Sequence, residues 1–246
     1  MEQRSRQAVL LPSVFIRFHG GDMLTFLSDT WTGVLTAFRG APTTLYVSFV
    51  AVIGGLILGF VLAFMRRSRA KVLRGVSTLY IDIVRGTPLL VQVLIVAYGI
   101  PALVNNNGGD FKWAQDVIPA MLCCGLNSAA YMGEIVRSGL NAVEKGQLEA
   151  AASLGMTHGQ AMRLIVIPQA LRIILPPLGN EFVTMIKETA ILSYVGVVEI
   201  TREGTLLSSR TYKMFEAYIG VAIVYIIFTI PLSKLILHFE KKMKMD

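Results

Sequence analysis

The feature that most constrains this chain is a run of 26 residues without a charged side chain, from Gly40 to Met65. A helix rises about 1.5 Å per residue, so roughly 20 apolar residues cross the hydrocarbon core of a bilayer. The run contains the apolar stretch VAVIGGLILGFVLAF and therefore predicts a membrane-spanning helix. Gly55 and Gly59, four residues apart, either let a second helix approach closely or are merely tolerated in lipid.

The rest of the chain is similarly apolar. Its 246 residues are 54% hydrophobic and 16% charged, against about 25% charged in soluble domains. Residues 86–109 and 117–133 lack charge, residues 217–233 are apolar, and residues 170–198 are apolar but interrupted. The interruptions are Pro176, Pro177, Glu181, Lys187 and Glu188. They predict an irregular helix that faces protein rather than lipid. We expect an all-α membrane protein with about five transmembrane helices, and neither a disordered chain nor a soluble enzyme.

The basic residues predict the orientation of these spans. Residues 66–75 hold five basic side chains and no acidic one, which marks the cytoplasmic face. With five crossings, 14 basic residues then lie inside and eight lie outside. The N-terminus is therefore expected outside and the C-terminal tail, residues 241–246, inside. The N-terminal arm, residues 1–39, is expected outside or along the membrane surface, and it shows no cleavage site of a signal peptide.

A polar, alanine-rich segment follows Arg137, and part of it reads EAAASLGMTHGQAMRLIVIP at residues 149–168. Its alanines favour a helix and leave a face of small side chains that a partner surface can approach. Gly155 permits the positive φ that ends a helix. The segment therefore predicts a helix, a turn and a second helix that project into the cytoplasm. The alternative is a helical hairpin lying on the membrane surface.

This segment resembles the EAA loop of ABC-importer permeases, in which Glu-Ala-Ala is followed by three residues, Gly, nine residues and Ile-x-Leu-Pro. Residues 149–151, Gly155, Ile165 and Pro168 have this spacing, and Ile167 replaces the leucine, a volume-conserving change. Three other segments resemble the polar amino-acid subfamily of these permeases. They are RGTPLLVQ at 85–92, LNSAAYMGEIVRSGL at 126–140 and PPLGNEFVTMIKETA at 176–190.

The resemblance covers residues 40–240 and implies a type I ABC-importer permease fold, with a cytoplasmic coupling loop at about 141–168. It implies a permease subunit that imports a polar amino acid through a bacterial cytoplasmic (inner) membrane. The implied partners are a second permease chain, identical or related, two cytoplasmic ATP-binding subunits, and an extracytoplasmic amino-acid binding protein. Lipid surrounds the chain, and no nucleic acid is expected. The residues expected to couple to the ATPase are Glu149, Ala150, Ala151, Leu154, Gly155 and Met156.

The sequence contains no G-x-x-x-x-G-K-[ST] loop, which is the pattern that cradles nucleotide phosphates. We therefore expect no enzymatic activity and no cofactor on this chain, and we expect ATP and Mg²⁺ on the partner ATPase subunit. Cys123 and Cys124 are adjacent in an apolar run, and no cysteine and histidine have the spacing of metal ligands. We expect the two cysteines to be packing residues and expect no metal site.

Ionisable groups inside a membrane are costly, so those present should face protein, water or solute. Lys187 and Glu188, with Thr189, are expected to line the substrate pathway and to meet the carboxylate and ammonium of an amino acid, and Asn127 could add hydrogen bonds. Alternatively, Lys187 and Glu188 neutralise each other or Glu181. A gate or structural pair is expected from Glu134 and Arg137, spaced i to i+3. Arg85 is either a cytoplasmic anchor or a partner of that gate.

Three other classes of protein compete with the importer. A secondary transporter would also hold charges at mid-membrane, but it usually shows a repeated set of spans, and the chain has no internal repeat. A membrane-embedded enzyme would need a catalytic constellation, and none is present in the sequence. A passive membrane scaffold leaves the EAA spacing and Lys187 unexplained. For the importer, glutamine, glutamate, arginine, histidine and cystine all remain open as solutes.

Overall fold

The computed structural model of the chain describes residues 20–245, and every regular element in that range is helical. The α-helices are α1 (Gly20–Phe38), α2 (Ala41–Arg67), α3 (Lys71–Gly86), α4 (Leu89–Leu94), α5 (Ile100–Asn106), α6 (Val117–Ala142), α7 (Lys145–Ser153), α8 (His158–Ala161), α9 (Ile167–Glu188), α10 (Ile200–Thr211) and α11 (Met214–Met245). Two π-helical turns, Ile95–Gly99 and Met162–Val166, join α4 to α5 and α8 to α9, and a 3₁₀ helix, Thr189–Val195, follows α9. The prediction of an all-α protein is confirmed.

Four helical stretches in the described range are long and apolar enough to cross a membrane. They are Ala41–Arg67, Leu89–Asn106, His158–Val195 and Met214–Met243. Each one contains or overlaps a predicted span. The fifth predicted span, residues 117–133, lies in α6, which has 26 residues and is therefore about 39 Å long. Length alone would let α6 cross a bilayer as well.

Helix α6 is more polar than the four apolar stretches because it packs against protein on several sides, on α2, α3 and α9. Asn127 and Ser128 are buried in these contacts. On α2, a Cβ atom at Gly55 would lie 2.7 Å from the Cβ of Ser128, and one at Gly59 would lie 2.8 Å from the Cβ of Met132. The two glycines therefore bring α2 and α6 into close contact, which decides between the two interpretations of their spacing.

Prolines explain the two π-helical turns. The N–H groups of Ile100 and Ile167 each bond to the carbonyl five residues back, and each residue precedes a proline, Pro101 and Pro168. A proline ring collides with the carbonyl four residues before it and donates no hydrogen bond, so the helix widens locally instead of ending. As a result, residues 158–195 form one continuous helical stretch.

Helix α1 packs along the first half of α11 and against α10. The closest approach is between Gly33 and Gly220, where a Cβ atom at Gly220 would lie 2.4 Å from the carbonyl carbon of Gly33. Nζ of Lys213 also lies 2.5 Å from a carboxylate oxygen of Asp29. The described part of the N-terminal arm is thus a packed helix that the sequence did not predict. The first 19 residues of that arm lie outside the described residues, as does the predicted absence of a signal-peptide cleavage site.

Helix α3 was also not predicted from the sequence. Its inner face is anchored by two hydrogen bonds: Oγ of Ser77 donates to the carbonyl of Leu62 at 2.8 Å, and the hydroxyl of Tyr80 donates to the carbonyl of Leu126 at 2.7 Å. The helix starts at Lys71, directly after the basic residues that end α2. We call one end of the bundle the basic end. It holds residues 66–71, residues 134–142 and the α7–α8 hairpin.

Candidate functional site

The predicted helix-turn-helix is present at the basic end, and we call residues 141–168 the EAA hairpin. Helix α7 ends in a turn in which Gly155 has φ +76°. The N–H of Gly155 bonds to the carbonyl of Ala152 at 3.0 Å, and the N–H of Met156 bonds to that of Ala151 at 3.1 Å. This pair of bonds is a Schellman motif, in which the left-handed residue is normally glycine. The predicted positive φ of Gly155 is confirmed.

The second helix of the hairpin starts with a capping box. Oγ1 of Thr157 accepts from the N–H of Gln160 at 3.4 Å, and Oε1 of Gln160 accepts from the N–H of Thr157 at 2.9 Å. The hairpin is also tied to α9 by a hydrogen bond of 3.2 Å between the side chains of Gln147 and Gln169. Both its turn and its base are therefore held in one geometry.

The hairpin presents most of the residues expected to couple to the ATPase. Glu149, Ala150 and Gly155 are exposed, and Leu154 at the tip is 81% exposed. Met156 is half-buried. Ala151 is buried inside the hairpin, where its small side chain lets α7 lie close to the second helix.

A cluster of charges lies at the basic end of α6. Arg137 binds the Glu134 carboxylate with two nitrogens, one of which, Nε, lies 3.0 Å from Oε2, while Nη2 bonds to Oε1. Nη1 of Arg66, at the end of α2, lies 2.7 Å from the same Oε2. The expected contact between Glu134 and Arg137 is present, but sequence reasoning missed Arg66, because that partner is 68 residues away.

Arg85 lies beside this cluster, with its guanidinium carbon 5.1 Å from the centroid of the Tyr131 ring, within the range of a cation–π contact. Arg85, Tyr131 and Glu134 line a cavity of about 310 Å³ together with Ile173 and Pro177 of α9. Two of the three charged residues predicted from sequence, Arg85 and Glu134, line this cavity between α3, α6 and α9. The third, Arg137, is bound to Glu134.

The residues expected on the substrate pathway do not form one cluster in the single chain. Lys187 is exposed, Glu188 is half-buried, and Thr189 is buried with its hydroxyl 2.7 Å from the carbonyl of Ile186. Within residues 20–245 no ion pair joins Lys187 to Glu188 or to Glu181. Asn127 is buried on α6, about two turns along that helix from the Glu134 cluster.

Gln92 connects Asn127 to the end of α3, and sequence reasoning assigned no role to it. Nδ2 of Asn127 lies 3.4 Å from Oε1 of Gln92, whose Nε2 donates to the carbonyls of Val84 and Thr87 at 2.8 and 3.1 Å. The signal was available, because Gln92 is the polar residue of an otherwise apolar stretch in the RGTPLLVQ segment. Its amide fixes the joint between α3 and α4.

At the end of the bundle opposite the basic end, Glu199 caps α10. Its two carboxylate oxygens accept from the N–H groups of Thr201 and Arg202 at 2.8 and 2.7 Å, and the Tyr225 hydroxyl donates to Oε2 at 2.9 Å. The side chain is fully buried. Burial raises the pKa of Glu199 above its ordinary value, and the two backbone hydrogen bonds act in the opposite direction.

A cavity of about 710 Å³ adjoins this cap and is lined by the 3₁₀ helix, α10 and α11. Its polar lining comes from Ser193, Thr201, Arg202 and Thr205, with Tyr194 and Tyr218 beside them. The 3₁₀ helix directly follows Glu188. The cavity therefore lies next in sequence to the predicted pathway residues Lys187, Glu188 and Thr189. No group of three His, Cys, Asp or Glu side chains in the described range could hold a metal ion.

The family described as binding-protein-dependent transport system inner membrane component matches residues 55–245. The chain belongs to this family. It is 39% identical over 217 residues to the probable amino-acid permease protein YxeN of Bacillus subtilis (strain 168), covering 87% of this chain and 95% of that protein. It is 33% identical over 217 residues to the glutamine transport system permease protein GlnP of Escherichia coli (strain K12), covering 88% and 97%.

Among solved structures, a chain of an amino acid ABC transporter with histidines matches with a TM-score of 0.77 and 38% identity, covering 92% of this chain and 100% of that chain. The permease is therefore the non-catalytic transmembrane subunit of an ATP-driven amino-acid importer, and a separate subunit hydrolyses ATP. It is a multi-pass inner-membrane protein that works in a complex. The predicted fold, family and function are confirmed, which excludes a secondary transporter, a membrane-embedded enzyme and a passive scaffold.

Proposed function

We propose that the permease pairs with a second permease chain, identical or related, and imports a polar amino acid delivered by an extracytoplasmic binding protein. Two cytoplasmic subunits bind ATP and Mg²⁺ and drive the cycle. Support for the solute class comes from the relatives, since one is named as a glutamine permease and the matched structure is that of an amino acid ABC transporter with histidines. Glutamine, glutamate, arginine, histidine and cystine are the candidate solutes.

One observation carries the coupling part of this proposal. The helical stretch of residues 158–195 begins inside the EAA hairpin and continues without a break to Glu181, Lys187 and Glu188. A displacement of the hairpin by an ATPase subunit would be transmitted along this single element to the three ionisable residues. Glu149, Ala150 and Leu154 form the exposed contact surface, and Gly155 holds the turn.

The same arrangement supports the proposed orientation. The basic end is cytoplasmic, because it carries residues 66–71 and the hairpin, and the Glu199 end is extracytoplasmic. A cysteine introduced at Asn106 should react with an impermeant thiol reagent in intact cells, and one introduced at His158 should react only after permeabilisation. Cys123 and Cys124 are buried, so the native thiols give little background. The reverse labelling pattern would overturn this orientation.

The coupling role is tested by replacing Gly155 with valine in the reconstituted transporter. A β-branched residue does not adopt φ +76° without strain, so the turn is displaced and the contact with the ATPase is lost. We expect substrate-stimulated ATP hydrolysis to be abolished while membrane insertion is retained. Gly146→Val is the matched control, because Gly146 lies on the same hairpin with open space around its Cβ position. Normal stimulated hydrolysis in Gly155→Val would contradict the proposal.

The pathway role of Lys187 and Glu188 rests on their charge within a helical stretch apolar enough to span a membrane and on the exposure of Lys187 on α9. The ammonium of Lys187 would bind the α-carboxylate of the solute. Glu188 and Thr189 would bind the ammonium group of the solute, and Asn127 would add hydrogen bonds through its amide. Lys187→Met should impair uptake of every accepted amino acid without changing their order of preference. Lys234→Met, which removes another exposed lysine from a membrane span, should leave uptake near normal. Unchanged uptake by an assembled Lys187→Met transporter would exclude this role.

A further inference from the structure

A second cavity at the basic end differs in chemistry from the one beside Arg85. It has a volume of about 130 Å³ and lies where α2, α6 and the beginning of α9 meet. Its walls include Phe60 and Phe64 of α2, Val136 and Leu140 of α6, and Leu171 of α9. A cavity with such walls does not hold water well, because a buried water needs several polar partners.

The cavity opens on a face of α2 that is apolar along most of the helix. Phe49, Ile53, Ile57 and Phe64 are all exposed on α2, and they cover about 22 Å of its length. That length is comparable to the roughly 30 Å hydrocarbon core of a bilayer. Phe64 belongs both to this row and to the cavity wall. The cavity is therefore accessible from the side on which hydrocarbon chains would lie.

Arg67 is the charged residue in the cavity wall. It is exposed, and its Nη1 donates to Oδ1 of Asn141 at 3.3 Å. Arg67 has no acidic partner within 4 Å in the described part of the chain, and the carboxylate of Glu134 is already bound by Arg66 and Arg137. An unneutralised guanidinium thus stands at the mouth of an apolar cavity.

Further basic residues lie close in sequence to residues that line the cavity. Arg69 lies in the loop between α2 and α3, Lys71 is the first residue of α3, and Arg163 follows Met162, which also lines the cavity. All three basic side chains are exposed. Basic pockets between transmembrane helices at the cytoplasmic surface are suited to anionic lipid head groups. The combination of an apolar cavity and a cationic rim matches the two parts of one phospholipid molecule.

We propose that this cavity binds an anionic phospholipid of the cytoplasmic leaflet, with a segment of one acyl chain between Phe64 and Leu171 and its phosphate on Arg67. The placement in that leaflet rests on the proposed orientation of the permease, whereas the binding chemistry does not. The cavity also contacts the π-helical turn Met162–Val166 through Met162. A bound lipid would therefore stiffen the joint between the EAA hairpin and α9.

Native mass spectrometry of the purified transporter complex, titrated with phosphatidylglycerol or phosphatidylcholine, tests this site. We expect preferential retention of phosphatidylglycerol, and an affinity about fivefold lower in Arg67→Gln, from loss of one cationic contact. Arg74→Gln is the matched control, since Arg74 is exposed on α3 and does not line the cavity. Equal affinity for both lipids, or equal effects of the two variants, would overturn the proposal.

A second measurement identifies what covers the cavity without removing any charge. A photo-crosslinking Leu171→p-benzoylphenylalanine variant of the complex should yield an adduct with the mass of a phospholipid. An adduct with the mass of a second permease chain would instead mean that protein covers this face, and the proposal would be wrong. Neither measurement depends on transport, so their outcome is independent of the proposed coupling and solute.

Discussion

Two carboxylates at opposite ends of the permease are bound in contrasting ways. Glu199 is fully buried, and it receives hydrogen bonds from two backbone N–H groups and from the Tyr225 hydroxyl. Glu134 keeps 20% of its side-chain surface exposed, and its partners are the flexible side chains of Arg66 and Arg137. The first carboxylate is held by main-chain geometry, and the second by side chains that can change partners.

Their surroundings differ in the same sense. Around Glu199, the N–H of Ile200 donates to Oγ1 of Thr44 at 3.3 Å, and Gly40 packs directly on the backbone of Glu199. Glu134 instead borders a cavity of about 310 Å³. A buried and fully bonded carboxylate has one low-energy arrangement, whereas exposed ion pairs contribute little and exchange easily. We infer that the Glu199 end is a fixed frame and that the Glu134 end rearranges during transport.

The largest effect on stability is expected from Glu199→Ala. The change leaves two part-buried N–H groups without their acceptor and removes one of the two partners of the Tyr225 hydroxyl, at a cost of about 3–5 kcal/mol. The thermal midpoint of the purified complex should fall by about 10 °C. Tyr225→Phe removes one hydroxyl, which bonds to Glu199 and to Oγ1 of Thr201, and should lower the midpoint by a few degrees only. Equal shifts in the two variants would show that the carboxylate is not the organising group.

Gly40→Ala should have the next largest effect. Its new Cβ would lie 2.3 Å from the carbonyl carbon of Glu199, although the backbone of Gly40 is helical and tolerates alanine. Displacing the α10 cap should cost about 1–3 kcal/mol. Gly54→Ala on the same helix meets nothing within 4 Å and is the matched control. The comparison uses the thermal midpoints of the two variants, and a Gly40→Ala complex as stable as the control would refute the close packing.

Sequence alone predicted the spans and the EAA hairpin because both depend on local patterns, namely apolar runs and the spacing of glycine and alanine. The contact between Glu134 and Arg137 was predictable for the same reason, since residues three apart share a helix face. Arg66, Gln92 and the contact between Glu199 and Tyr225 were missed because these partners come from other helices, 68, 35 and 26 residues away. No local pattern specifies such tertiary contacts.

The α6 helix is a second case in which the sequence does not reveal tertiary contacts. Asn127 and Ser128 lower its apolarity below that of the other spans, but both are buried, on a helix that packs against α2, α3 and α9, rather than exposed to lipid. Lys187 shows the limit for function. Its position in an apolar stretch predicted a pathway residue, but within residues 20–245 its exposed side chain has no ion-pair partner that fixes its role. The missing information in both cases is which surfaces face protein.

Glu134→Gln should affect transport more than stability. The cluster is partly exposed, so loss of its charge should cost about 1 kcal/mol and shift the thermal midpoint by a few degrees at most. If the cluster favours one state of the basic end by that amount, the populations shift about fivefold. The ratio of substrate-stimulated to basal ATP hydrolysis should change by up to about that factor. Glu203→Gln on α10 is a control with a half-buried carboxylate at the fixed end.

The smallest effects are expected from the two arginines, and they sharpen the comparison within the cluster. Arg137 binds both oxygens of Glu134, whereas Arg66 contributes one nitrogen. A lysine can reproduce a single charged contact but not a bidentate one. Arg66→Lys should therefore change the free energy of unfolding, and the free-energy difference between the two states of the basic end, by less than about 0.5 kcal/mol. Arg137→Lys should change both by more. The thermal midpoint and the hydrolysis ratio measure the two quantities. The opposite order would mean that the link between α2 and α6, rather than the pair within α6, is the contact that rearranges.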